Sequence, residues 1–566
     1  MRTVNVAALA TLVSLGVSAC GGGTTEPQGP APLMSGVTPN VGTVGTELTV
    51  HGSNFRSGIV VLLDSLQATQ TSVSGDTVIY ASVPSGVQAD TSYTVIVRNA
   101  DGTQATLAGA FEAVAPVLQF VNSATKPSGI IGSTVIVEGD AFGDAQGAGQ
   151  VFFSNGSGGT VAATIAAPGD WTNTFIVTTV PSGAGTGPIS VVTGTGTSNT
   201  LTFTITQNAT FSPSTINWTL TTDLPVAVSG HHALYVPIDD AGEQTVQYVF
   251  VTGGAADDSV PRADVNVATI QNDGSLGSWT PLTGLPAGRA FHRSVAATPF
   301  NSKVKGSGYL YVLGGIADKG GDPVTTIYRA ALNNDGTIGT WSTIGDLPAA
   351  LHSFGAVVFR STIFVVGGAT TGNAPVKTVY SASIDTLGNL SSWATLTSLP
   401  SARAYHALNT FGGYLYAVGG ETATVDPNNG NYQTNSSKLD SVAYAKIDLR
   451  TDTLRSWALN GSAMQKARSK HTSLVAGGSL FVSAGLYAAA GTGSSENIYA
   501  SLNADGSVGS FNGATGSNTL VSVGGADLFN QAAVVYQDAA GVAHVMILGG
   551  DNVNSPGTKQ AKVLYY

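Results

Sequence analysis

A block of residues that returns five times and a fraction between Trp218 and the C-terminus limits the fold more than any other feature of this chain. Its clearest copy opens at Trp279, passes a Leu-Pro turn and the segment RAFH, and reaches the apolar run GYLYVLGG that ends at Gly315. A variable loop and TTIYRAALNNDGTIG follow before Trp341 opens the next copy. Trp393 and Trp457 open two more, and Phe511 stands where a further Trp is expected. Spacings such as Trp341 to Trp393 and Trp393 to Trp457 are too long for a helical solenoid and suit four strands with their turns.

Composition supports strands. Gly contributes 72 of 566 residues and only 10% are charged, a mixture suited to short strands and tight turns, so an all-β chain of several domains is expected. The formal net charge is −11 and no Lys/Arg cluster exists, which argues against a nucleic-acid partner. A single Cys, Cys20, excludes an intramolecular disulfide and any Cys-x-x-Cys metal site.

The recurring block carries a double Gly (Gly253-Gly254, Gly314-Gly315, Gly367-Gly368, Gly419-Gly420, Gly549-Gly550, with Ala484-Gly485 as the variant), a later Tyr and a closing Trp. These hallmarks, in one order over about 350 residues, resemble the kelch repeat, which implies a β-propeller with four antiparallel strands per blade. Counting the copies predicts six blades. The chain stops at AKVLYY, where other copies place their third strand, so residues 214–221 are expected to supply the last blade's missing strand and close the ring.

Ahead of the propeller, residues 33–114 carry only strand signals, such as TELTVHG at 46–52 and IVVLL at 59–63. Pro39, Gly42, Gly45, Gly52, Phe55, Val83-Pro84 and the run Val95 to Gly102 resemble an IPT/TIG domain, an immunoglobulin-like sandwich. A looser copy spans 115–207, with Pro127, Gly129, Gly132, VIVEGDAF and Val180-Pro181 in the same order. Both read as spacers. The expected fold is therefore all-β: two Ig-like β-sandwiches followed, over 208–566, by a six-bladed kelch-type propeller closed by an N-terminal strand.

Residues 1–19 read as an export signal, with Arg2 before an apolar stretch at 4–16. VSAC resembles the lipobox of bacterial lipoproteins, which implies lipidation at Cys20 and, over 20–32, a flexible tether. The resemblance implies a bacterial cell-envelope address, at the outer membrane or cell surface, with the membrane as a partner through the lipid.

Candidate ligand residues lie where copies differ or carry charge. Arg289, Arg403 and Arg468 open the R-x-x-H segments, and a guanidinium is a bidentate donor for carboxylates. Glu421, Asp426 and Asp440 belong to the long loop after Gly420, and variable loops on a rigid ring are where recognition usually resides. Asp257, Asp258, Asp318 and Asp322 lie in shorter loops and match no calcium-loop spacing. His292, His406 and His471, with His232 and His352 as further copies, are expected as scaffold groups rather than metal ligands. No cofactor is expected, since the copper–Tyr–Cys site of galactose-oxidase-like kelch enzymes needs a Cys in the ring. The function expected is binding or adhesion, the propeller face recognising a carbohydrate or protein. The alternative is a carbohydrate-active enzyme resembling the kelch sialic-acid mutarotases, with Glu421 and Arg468 as the acid–base pair to test.

Overall fold

Runs of Val, Ile, Thr and Tyr punctuated by Gly, Pro and Asp-Gly become β-sheet throughout, with only short 3-10 turns such as Pro168–Asp170 as helix. The computed structural model describes residues 29–566 apart from 122–126, 130, 206–215, 217, 240–244, 298–307, 386, 424–436, 449–450, 452, 477, 488–495, 504, 514–527, 539–541 and 553–557. The chain divides into two compact units, one up to Val114 and one from Ala115.

In the first unit, the sheet Leu33–Thr38, Glu47–Ser53, Val78–Ser82, Thr69–Ser74 forms one layer of a sandwich. The other layer is Val41–Gly42, Gln104–Ala113, Thr91–Arg98, Val60–Leu63, Leu66–Gln67. Alternate residues such as Leu48, Val50, Val61, Leu63, Val95 and Val97 point inward and are fully buried. The G-x-x-F signature has a steric cause: a Cβ on Gly52 would lie 1.9 Å from the Leu33 carbonyl oxygen and 2.5 Å from the Phe55 ring. Gly139 repeats this against the Val117 carbonyl and the Phe142 ring at the same two distances, so the second sandwich reuses the device.

That second sandwich is more than a spacer. Its strand Thr134–Asp140 is buried on both faces. Val135 and Val137 enter its own core, while Ile136 shares an apolar cluster with Phe364, Leu415 and Ile447 of the propeller. Glu138, with a side chain 2% exposed, pairs with Arg360 of a propeller hairpin at 2.6 Å.

Six sheets of four or five strands make the propeller among the described residues. Their innermost strands are, for blades 1 to 6, His232–Asp239, Arg293–Ala297, Gly355–Phe359, Ala407–Phe411, Thr472–Ala476 and Ala532–Gln537. Each neighbours the next, and the sixth neighbours the first. Blade 6 is completed from the other end of the domain, Thr219 pairing with Tyr565 and Leu220 with Leu564 in antiparallel register. Neighbouring blades are also tied at their outer strands, where the indole N–H of Trp341 donates to the Thr283 carbonyl (2.9 Å) and that of Trp457 to the Thr397 carbonyl (2.9 Å).

Asp-Gly turns lock the opposite rim. The N–H of Thr337 donates to Asp335 Oδ1 at 3.0 Å, the local bond that makes Asp favourable there. Gly336 lies so close to Tyr248 of the preceding blade that a Cβ would come within 2.3 Å of its ring. Gly388 against Tyr309 and Gly506 against Tyr414 repeat the contact.

Candidate functional site

The double glycines are explained by the blade that follows each of them. Gly419 and Gly420 have φ of 57° and 100°, and the other pairs adopt similar values, a region that disfavours any Cβ. A Cβ on Gly419 would lie 2.6 Å from His471 Cε1 and 2.7 Å from the Arg468 carbonyl, both in the next blade. The second glycine donates its N–H across the same seam: Gly254 to Arg289 O, Gly315 to Leu351 O, Gly368 to Arg403 O, Gly420 to Arg468 O, Gly485 to Leu528 O and Gly550 to Val228 O, at 2.7 to 2.9 Å. Ala484 breaks the pattern with φ 60°, and it faces the blade in which Gln531 replaces the histidine.

A second circuit lies at the channel mouth. The N–H of Phe291 donates to Gly230 O, Ser353 to Phe291 O, Tyr405 to Ser353 O, Lys470 to Tyr405 O, Asn530 to Lys470 O and Gly230 to Asn530 O, at 2.7 to 3.1 Å. All six have positive φ, between 52° and 60°. This closed ring sets five side chains and one glycine around the axis, the five in a conformation that glycine would adopt more easily. Left-handed non-glycine residues gather at functional sites.

The ring also fixes the histidine register. His231, His292, His406 and His471 are the residues after it, and Phe354 and Gln531 take that place in blades 3 and 6. His232 lies one residue later and His352 two residues earlier than the equivalent position, so the sequence assignment of both is corrected. The imidazole carbons of His231, His292, His406 and His471 reach the first glycine of the preceding blade. Burial lowers the pKa of His231 to about 4 and of His292 and His471 to about 3, so these rings are neutral packing groups. Among the described residues no three His, Cys, Asp or Glu side chains converge as metal ligands.

Arg289, Arg403 and Arg468 are buried and turned into their blades. Arg403 Nη1 donates to the carbonyls of Ala417 (3.0 Å) and Gly419 (3.2 Å), and Arg468 Nη1 to that of Ala484 (3.2 Å). Arg289 Nη2 donates to the Tyr328 hydroxyl at 2.9 Å. Their assignment as ligand donors is therefore corrected: the repeated guanidinium fastens main chain. Glu421, 1% exposed, accepts from Ser469 Oγ at 2.9 Å and lies 3.9 Å from Lys470 Nζ, while Arg468 faces Tyr487 instead of joining it. Asp440 is exposed, and its carbonyl caps Met464 N–H at 3.0 Å or less (2.8 Å). Asp426 and Cys20 lie outside the described residues.

The loops after the double glycines form a cleft beside the ring, about 50 Å³, between blades 1, 2, 5 and 6. Phe291, Lys470, Asn530, Asp551, Lys559 and Asp318 bring an aromatic face, cations, an amide and carboxylates to it. Lys559 pairs with Asp551, which also accepts from Asn530 Nδ2 at 3.1 Å. Lys470 lies over the Tyr405 ring, 4.4 Å from its centroid. Burial lowers its pKa, against the raising influence of Glu421 and Asp551. The loops are stitched together, Lys559 N–H donating to Asp257 Oδ1 (2.8 Å) and Lys319 Nζ to Asp258 O (2.7 Å). Sequence reasoning missed Phe291, Lys470 and Asn530, because these ring positions share a backbone conformation and no side-chain type.

Comparison with known proteins gives the following similarities. Residues 32–112 match the IPT/TIG domain family. A kelch-like protein of Aspergillus terreus, terF, is 29% identical over 210 residues, covering 36% of this chain and 41% of that protein, so the chain spans less than half of that relative's length. The solved structure of YjhT covers 61% of this chain and 95% of its own, at 13% identity and a TM-score of 0.43.

Proposed function

We propose that this kelch-like propeller protein is a cell-envelope binding protein, tethered through a lipid on Cys20, whose loop-face cleft recognises a carbohydrate. The observation that carries the reading is the cleft itself: the half-buried Phe291 ring beside Asp318, Asn530, Asp551 and Lys559, on a ring whose backbone is closed on itself. An aromatic face bordered by fixed donors and acceptors suits the apolar face and hydroxyls of a sugar. The rigid mount lowers the ordering cost of binding. Two charge pairs and stitched loops hold these groups before any ligand arrives.

A glycan and polysaccharide binding screen on the purified chain tests this, with Asp318→Ala and Phe291→Leu as paired variants. Binding without turnover, weakened at least tenfold in either variant, is the expected result. Capture of a protein with no glycan bound, or sugar conversion that survives both substitutions, would refute the reading. The tether is tested separately: Cys20→Ser is expected to move the chain from the membrane to the soluble fraction, and unchanged fractionation would exclude the lipid.

A further inference from the structure

Below the backbone ring the channel widens into a cavity of about 460 Å³, lined by the six innermost strands. The chain has 34 Asp and Glu residues, yet none is among the described residues that line this cavity. Among the described residues it holds one obligate cation. Arg293, the first residue of blade 2's innermost strand, borders both this cavity and a smaller one of about 40 Å³ directly under the ring. The smaller one also lacks a described carboxylate and is bordered by Lys470.

Arg293 differs from the three arginines that fasten main chain. Its one described hydrogen bond runs from Nη1 to the adjacent His292 carbonyl at a long 3.3 Å, and no described Asp or Glu forms an ion pair with it. A guanidinium presents five donors in a planar fork, and this one lines both cavities. Burial lowers its pKa only to about 10, and it stays charged at neutral pH. Among the buried polar atoms of the lining, His232 Nδ1 and Thr410 Oγ1 are two that lack a hydrogen-bond partner among the described residues. Desolvation, then the neighbouring Arg293, hold the His232 pKa well below its usual value, so His232 can donate as a neutral ring without adding charge. Farther down, Leu234, Val295, Val357, Leu408, Leu474 and Val535 give apolar walls.

A half-buried charge with no described counter-ion is costly, and a fork facing a cavity without a described carboxylate is matched by an oxyanion. We propose that the central channel is a binding site for a small carboxylate- or phosphate-bearing molecule, its oxyanion held by Arg293 and its apolar body along the channel walls. This site lies across the ring from the loop-face cleft and does not depend on the carbohydrate reading.

The test is a calorimetric and thermal-shift titration of the purified chain with inorganic phosphate, sulfate and acetate. Ionic strength is held constant with chloride, for the wild type, Arg293→Gln and Arg293→Lys. At least one oxyanion is expected to raise the wild-type melting temperature beyond the chloride control. Acetate and phosphate, as separate arms, tell a carboxylate site from a phosphate site. Arg293→Gln is expected to bind at least tenfold more weakly and to need no anion for its stability, with Arg293→Lys in between. Should Arg293→Gln fail to fold, Arg293→Lys together with the anomalous signal of selenate in wild-type crystals decides. A selenate peak beside Arg293 supports the site. No oxyanion effect beyond chloride, an undiminished response in the variants, or selenate bound only elsewhere would overturn it.

Discussion

Gly419→Ala puts the explanation of the double glycine to a quantitative test. The added Cβ meets three atoms: His471 Cε1 at 2.6 Å, the Arg468 carbonyl oxygen at 2.7 Å and Met464 Cε at 3.0 Å. Its φ of 57° adds a left-handed penalty of about 1 kcal/mol for a residue with a side chain. Overpacking of a well-filled seam adds about 1–3 kcal/mol, giving a total of about 2–4 kcal/mol. Ala484→Gly is the control. Ala484 is at the same place with φ 60° and 0% exposure, but the next blade offers Gln531, whose Nε2 reaches back to Ser483 O at 3.2 Å. Relief of strain and added chain entropy there oppose each other at about 1 kcal/mol each, so the net change is expected to stay within about 1 kcal/mol. Urea unfolding followed by tryptophan fluorescence reads both, since five of the six Trp residues lie in the propeller. The double variant Gly419→Ala/His471→Gln is expected to recover at least about 1 kcal/mol relative to additivity. Equal costs for Gly419→Ala and Ala484→Gly, or no coupling to residue 471, would show that the neighbouring imidazole is not what demands the glycine.

Glu138→Ala is expected to destabilise the contact between the second sandwich and the propeller by about 3 kcal/mol, because it removes the buried carboxylate with which Arg360 pairs. Limited proteolysis at the junction should then speed up markedly, and unchanged cleavage would refute that role. Thr221→Pro should cost about 1–3 kcal/mol by removing the Thr221 N–H bond to the Val563 carbonyl (3.0 Å), read as a lower urea midpoint. Acid should unfold the ring through its histidines. Their folded pKa values, about 4 for His231 and about 3 for His292 and His471, lie below the unfolded value near 6.5, so the unfolded state binds protons first as pH falls. The stability they contribute is complete above about pH 6.5 and declines toward pH 4 by up to about 1.4 kcal/mol per pH unit for each ring. A flat urea midpoint over that window would contradict the burial argument.

Much of the fold was legible because its determinants recur as residue types. The glycine pairs, the Trp-opened strands and the orphaned third strand AKVLYY together implied six blades and a closing strand, and Thr219 against Tyr565 is that closure. The site was less legible, for a physical reason. Gly230, Phe291, Ser353, Tyr405, Lys470 and Asn530 share a dihedral angle and a main-chain bond, neither of which a side-chain pattern records. Adjacent His231 and His232 made the register ambiguous for the same reason. The arginines misled because their repetition reflected the carbonyls they fasten, as Arg403 does with Ala417 and Gly419. One signal was present in VIVEGD: Ile136 occupies the outward phase of its strand, where a free-standing sandwich would carry a polar residue.

Joining Thr219 and Leu220 to Leu564 and Tyr565 has a consequence for biogenesis. The first strand of the domain to be synthesised stays without a mate until the last has been made, whatever the intervening sheets have done meanwhile. Completion of the toroid is thus an all-or-none event timed by the arrival of its tail. A nascent chain interrupted before Lys559 would present two unsatisfied edges at once, a marked target for proteolysis.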